Sequence, residues 1–131
     1  MATPLAVITR YFDALESGDF ATVSSLFAED VVWHQPGANR FSGVQRGSAA
    51  VGDMIGGMMA VSEGTFTLKR NAPLMVNGSF VAAPVHWTAQ RAGASMDGVG
   101  VDVMRVEDGK VVEVWLFTAD PAEEDAFWGL G

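Results

Sequence analysis

Cysteine is absent from this chain, which excludes disulfides, thiolate catalysis and cysteine-ligated zinc. The absence carries no information about redox compartment. Basic residues are scarce: 8 Lys plus Arg stand against 16 Asp plus Glu, a formal net charge of −8. Such a chain repels nucleic-acid phosphates and the anionic lipids of a cytoplasmic leaflet, and no basic stripe offsets this. No uninterrupted apolar stretch approaches the roughly 20 residues needed to span a bilayer. The opening Met-Ala-Thr-Pro leads straight into helical pattern, without a charged segment before an apolar run. A cytoplasmic protein is therefore expected. Phosphate-cradling glycine motifs and nucleotide fingerprints are missing too, so no organic cofactor is expected. His34 and His86 are the only histidines, and without an evident third ligand they predict no metal site.

What is present is ordinary globular material. The 131 residues, 49% hydrophobic and 18% charged, fit a single domain spanning 1–131 with a real apolar core. Thr3-Pro4 reads as an N-cap with proline at the first helical position, and Ile8, Tyr11, Phe12 and Leu15 recur on one helical face. Gly18 closes this helix, and Asp19 caps a shorter one striped by Phe20, Val23, Leu26 and Phe27. Val31 to Gln35 reads as a short strand stopped by Pro36-Gly37. A polar loop then runs to Arg46-Gly47. Ser48 can cap a third helix carrying Val51, Met54, Ile55 and Met58, although Gly56-Gly57 inside it is costly for a helix.

From Thr65 onward, long strands are predicted over about 65–76, 79–91, 95–106 and 110–118, with turns at Asn77-Gly78, Ala92-Gly93 and Asp108-Gly109. Pro73 would interrupt the first as a bend or bulge. Asp120-Pro121 can start a short last helix ending in Phe127 and Trp128. Helices followed by an antiparallel meander give an α+β order, with amphipathic helices covering one face of a strongly curved sheet.

Three ordered stretches carry a family likeness: Ile8 to Asp19, Leu26 to Pro36 and Val101 to Phe117, with Arg46-Gly47 between them. The chain resembles the ketosteroid isomerase-related branch of the NTF2-like, or SnoaL-like, superfamily. The resemblance implies a cystatin-like, cone-shaped curved antiparallel sheet packed with three N-terminal helices around a pocket. In ketosteroid isomerase a helix-1 tyrosine and a protonated aspartic acid form an oxyanion hole. By motif position these match Tyr11 and Asp102. The isomerase's base falls at Gln35, which cannot take a proton at neutral pH, so steroid isomerisation lacks its usual agent. Epoxide hydrolases of the same fold place an arginine two residues before an aspartate. Here that position is Gly100, and Arg105 lies on the other strand face.

Asp102 also stands out on physical grounds. Alternation groups it with Met96, Gly98, Gly100, Met104 and Val106 on one face, with Asp97 and Arg105 opposite. The glycines leave volume that a ligand cavity would use, and desolvation should raise the Asp102 pKa. A solvated or ion-paired strand aspartate is the bland alternative. Tyr11, on an apolar helix face, needs a hydroxyl partner. It is either a core tyrosine or an oxyanion donor.

His34 and His86 can carry protons near neutral pH. Alternation turns His34 away from Gln35, so a structural or interface role competes with catalysis there. Trp33, Gln35, Met54, Met58, His86, Met104, Trp115 and Phe117 are candidates to line the substrate pocket, with core packing as their plain alternative.

These residues suggest a cofactor-independent enzyme acting on a hydrophobic carbonyl metabolite of polyketide or terpenoid type. Asp102 would exchange the α proton, Tyr11 would hold the enolate oxygen, and Gln35 or a histidine would orient the substrate. The competing readings are a non-catalytic protein that binds an apolar ligand, and an interaction module. Val99, Val101 and Val103 form an outer apolar strip suited to a homodimer.

Overall fold

The computed structural model describes residues 2–130. Four helices, α1 (Pro4–Ser17), α2 (Phe20–Leu26), α3 (Ser48–Val61) and α4 (Pro121–Trp128), accompany seven strands. The strands are β1 (Phe27–Gln35), β2 (Gly43–Arg46), β3 (Thr67–Arg70), β4 (Met75–Asn77), β5 (Phe80–Arg91), β6 (Ala94–Glu107) and β7 (Lys110–Thr118). The sheet is open, in the order β2-β1-β7-β6-β5-β3, with β4 also paired to β5.

Local chemistry sets the helix ends. Thr3 Oγ1 accepts from the Ala6 N–H at 3.1 Å, and Gly18 terminates α1 in the left-handed region at φ 77°. Asp19 and Asp120 cap α2 and α4 through the N–H groups of Thr22 and Glu123. The third helix differs from expectation. Its N-cap is Gly47, without a side-chain cap, and Ser48 is its first helical residue. Of the paired glycines, Gly57 has a packing reason: a Cβ there would come 2.8 Å from the ring of Phe41.

Two features of the sheet depart from the sequence reading. The polar segment read as loop contains β2, which pairs antiparallel with β1 from Val32↔Arg46 to Gln35↔Gly43. As a short edge strand it carries no alternating apolar signal. The expected strand 65–76 is divided at Pro73, and its halves pair with different parts of β5: Thr67–Arg70 with Val85–Thr88, and Met75–Asn77 with Phe80–Ala82. Proline cannot donate to the ladder, so the break falls around it. β1 runs parallel to β7, so the sheet is mixed, while the long β5-β6-β7 ladder is the predicted antiparallel meander.

The inner face presents Val81, Ala83, Val85, Met104 and Val114, all completely buried, against Ile8 and Phe12 of α1. Arg70 ties α1 to β3, with its guanidinium 2.7 Å from Asp13 and 2.8 Å from Glu16. No helix among the described residues is long and apolar enough to cross a membrane.

Candidate functional site

Between the concave face of the sheet and the helices lies a cavity of about 560 Å³. Its walls come from α1 (Tyr11, Leu15), α3 (Ile55, Met58, Met59), β1 (Trp33, Gln35), β5 (Trp87), β6 (Asp102), β7 (Leu116, Thr118) and α4 (Glu124, Trp128). A smaller groove of about 280 Å³, lined by Gly52 and Gly56 of α3, shares Tyr11, Leu15, Phe20, Ile55 and Met59 with it.

Asp102 occupies the middle of β6, opposite Ala83 of β5 and Leu116 of β7, and is 4% exposed. Burial, and after it the charge of Glu124, push its carboxyl up to about pKa 7; no hydrogen bond from the described residues opposes this rise. Tyr11 is 3% exposed, and burial followed by the charge of Asp102 holds its hydroxyl far above the ordinary range. It is thus a permanent proton-bearing donor next to a titrating acid. Gln35 is fixed by Trp33, whose Nε1 donates to Gln35 Oε1 at 2.9 Å. That bond leaves the amide Nε2 as the donor Gln35 can offer a ligand.

Glu124 is the residue that sequence reasoning missed. It is 9% exposed and raised in pKa by burial, with Asp125 and Glu123 adding to the rise. The Thr118 hydroxyl and the Trp128 indole beside it oppose part of that shift. The Trp128 N–H nevertheless stops short of hydrogen-bond geometry, and it is one of two buried indole donors without an acceptor among the described residues. A signal was available. Glu124 lies three and four residues before Phe127 and Trp128, on the apolar face of its helix.

The volume attributed to Gly98 and Gly100 is not ligand space. The indole of Trp87 lies over both, and a Cβ on Gly98 would stand 2.6 Å from Trp87 Nε1. Trp87 sits opposite Gly98 in the ladder, and its large side chain takes the space the glycines vacate. The cavity therefore begins on the far side of this ring.

The remaining candidates divide by strand face. Trp33, Gln35 and Met58 line the cavity, whereas Met54 and Met104 are core residues outside its lining. His34 is on the outer face of the sheet, where its Nε2 lies 2.7 Å from Glu113 Oε2 and its ring stacks on Trp115 at 5.5 Å. His86 is on that face as well, paired with Asp97 at 2.7 Å. Neither histidine nor Trp115 borders the cavity, because strand alternation turns them outward from Trp33, Trp87 and Leu116. Phe117 borders the cavity but is 58% exposed, and its register with Val101 directs the ring to the outer face.

The Asp102 and Tyr11 arrangement is a proton donor and a near-neutral acid inside an apolar enclosure. It can polarise a carbonyl oxygen and exchange a proton with a neighbouring carbon. Glu16 and Lys69 also border the cavity, but Glu16 is engaged by Arg70, whose hydrogen bonds lower its pKa.

Comparison with known proteins agrees with this architecture. The sequence profile of the SnoaL-like domain matches residues 8–114. An uncharacterised protein of Mycobacterium tuberculosis is 32% identical over 124 residues, 95% of each chain. A crystal structure from Xanthomonas campestris, of unknown function and cystatin-like fold, is 46% identical and superposes with a TM-score of 0.93 over 98% of this chain and 99% of that one. A provisionally assigned polyketide cyclase from Pseudomonas putida shares the fold at 20% identity, with a TM-score of 0.70 over 89% and 92% of the two chains. With the family profile matched over residues 8–114 and a relative 32% identical across 95% of the chain, this protein belongs to the SnoaL-like family and has the NTF2-like fold.

Proposed function

We propose that the protein is a small cofactor-independent enzyme carrying out acid–base chemistry, an isomerisation or a cyclisation, on a hydrophobic carbonyl metabolite of polyketide or terpenoid type. The observation that carries this reading is the Asp102 carboxyl, held near pKa 7 beside Tyr11 in a largely apolar cavity of about 560 Å³. A carboxyl poised there has the right strength to exchange protons at neutral pH. Tyr11 stabilises the enolate oxygen that forms when an α proton leaves, and Gln35 and Met58 position the apolar body of the substrate. The provisional name of the Pseudomonas neighbour supports a polyketide at the level of fold alone. The whole chain serves as one such domain, and it works as a homodimer.

Exchange of α protons in deuterated water tests the chemistry without knowledge of the natural product. A compact ketone such as 2-tetralone, followed by proton NMR, is expected to exchange faster with the protein than in buffer. Asp102→Asn is expected to lower that rate more than it lowers ketone binding. Gln35, standing where the isomerase base falls, favours one other reading: a protein that binds an apolar ligand without changing it. Exchange no faster than in buffer, with the ketone bound and recovered intact, would establish that reading instead.

A further inference from the structure

Besides Glu16, which Arg70 engages, two carboxyl groups reach this cavity from different elements, and their surroundings are unequal. Asp102 comes from the centre of β6 and Glu124 from α4, which packs on β6. The groups facing Asp102 are Tyr11 from α1 and Glu124 from α4; its neighbours across the ladder, Ala83 and Leu116, are uncharged. Glu124 has the Thr118 hydroxyl from the end of β7 and the Trp128 indole from its own helix, with Asp125 and Glu123 as like charges nearby. Glu16 and Lys69 also border the cavity, and Glu16 is held by Arg70.

Two carboxylates in one low-dielectric enclosure do not both ionise readily. The group with donors beside it gives up its proton first, and the fully enclosed one retains it. Glu124 has the Thr118 hydroxyl and the Trp128 indole beside it, and the indole N–H, without an acceptor among the described residues, remains available to Glu124 or to a ligand.

We propose that Glu124 is the base of the reaction suggested above, taking a proton from the carbon α to the substrate carbonyl while Tyr11 and Asp102 donate hydrogen bonds to the carbonyl oxygen. The C–H electron pair moves into the carbonyl to give an enolate. The proton now on Glu124 returns to carbon, at the same position in exchange or at the γ position when a double bond moves into conjugation. Glu124 ends ionised and Asp102 protonated, as both began, with no oxidant, reductant or water consumed. In this arrangement the C-terminal helix supplies the basic group that β1, with Gln35, does not.

The inference rests on the acid–base reading but moves proton abstraction from Asp102 to Glu124 and leaves Asp102 as the donor, and two measurements separate their failures. Carbon NMR titration of the side-chain carboxyls, without substrate, is expected to show Glu124 ionising below Asp102. The reverse order overturns the assignment. In the 2-tetralone exchange assay, Glu124→Gln is expected to lower the rate at least about 100-fold with ketone binding retained, and Glu124→Asp to keep part of the activity. Asp102→Asn is expected to keep the rising limb of the pH–rate profile and lose the falling limb near neutrality. Full exchange by a folded Glu124→Gln variant, with the loss confined to Asp102→Asn, makes Asp102 the base and ends the proposal. Absence of exchange by the unaltered protein ends the acid–base reading itself.

Discussion

A carboxyl that titrates near neutrality inside a folded protein ties stability to pH. In the unfolded chain Asp102 has an ordinary pKa near 3.8, and in the folded protein it is near 7. Below about pH 4 both states hold the proton, and folding gains fully from the protonated, buried form. As pH rises from 4 toward 7 the unfolded state releases its proton first, so stability falls. Above 7 the loss levels off, on the order of 4 kcal/mol. Asp102→Asn is therefore expected to unfold at a higher temperature than the parent at pH 8, with the advantage shrinking toward pH 4. Thermal unfolding at both pH values measures this, and equal behaviour at pH 8 would show that folding does not raise the pKa of this carboxyl. Asp102 was legible in the sequence because alternation in a long strand assigns faces reliably, and its neighbours were apolar. Glu124 was obscured because a single acid in a short acidic helix (Pro121–Trp128) reads as solvated surface unless the two aromatics after it are given weight.

At the scale of elements, one glycine governs how β6 and β7 reach the cavity. A Cβ on Gly100 would overlap the carbonyl oxygen of Phe117 and press on the Trp87 ring. That close approach lets the end of β7 cross β6 tightly, with Ala119 N–H donating to Val99 O at 3.0 Å, before α4 turns over the cavity. Gly100→Ala is expected to destabilise by about 3 kcal/mol through forced displacement of backbone. Gly52→Ala in α3, with open space around its Cβ, is expected to stabilise by up to about 1 kcal/mol from helix propensity. Denaturant titration of the pair separates a packing glycine from a permissive one. The same contrast explains what the sequence disclosed about the elements. The caps of α1, α2 and α4 and the hairpin signalled by Asn77-Gly78, whose loop residues are Gly78 and Ser79, are local chemistry and were legible. The parallel β1–β7 pairing joins segments from opposite ends of the chain, β2 is a short polar edge strand, and the seating of Trp87 on Gly98 and Gly100 is side-chain packing, none of which periodicity encodes.

For the molecule as a whole, the outer face of the sheet bears on how it works in solution. Phe80, Val99 and Phe117 are 42%, 45% and 58% exposed there, and Val101, Val103 and Trp115 continue the patch. A border of polar pairs accompanies it: Glu113 holds His34 at 2.7 Å and Arg105 at 3.3 Å, while His86 meets Asp97 on the β5 side. An apolar centre with a polar rim is how a self-complementary interface is built. Between two copies that each carry a net charge of −8, this patch is the surface that brings the least like-charge repulsion into a contact. Sedimentation is expected to give a homodimer, and Val99→Asp is expected to yield a folded monomer by placing a carboxylate in the centre of the contact. Because Val99 points away from the cavity, that variant should retain 2-tetralone binding. A parent protein that sediments as a monomer at high concentration would leave the patch as bare surface and remove the dimer from the mechanism.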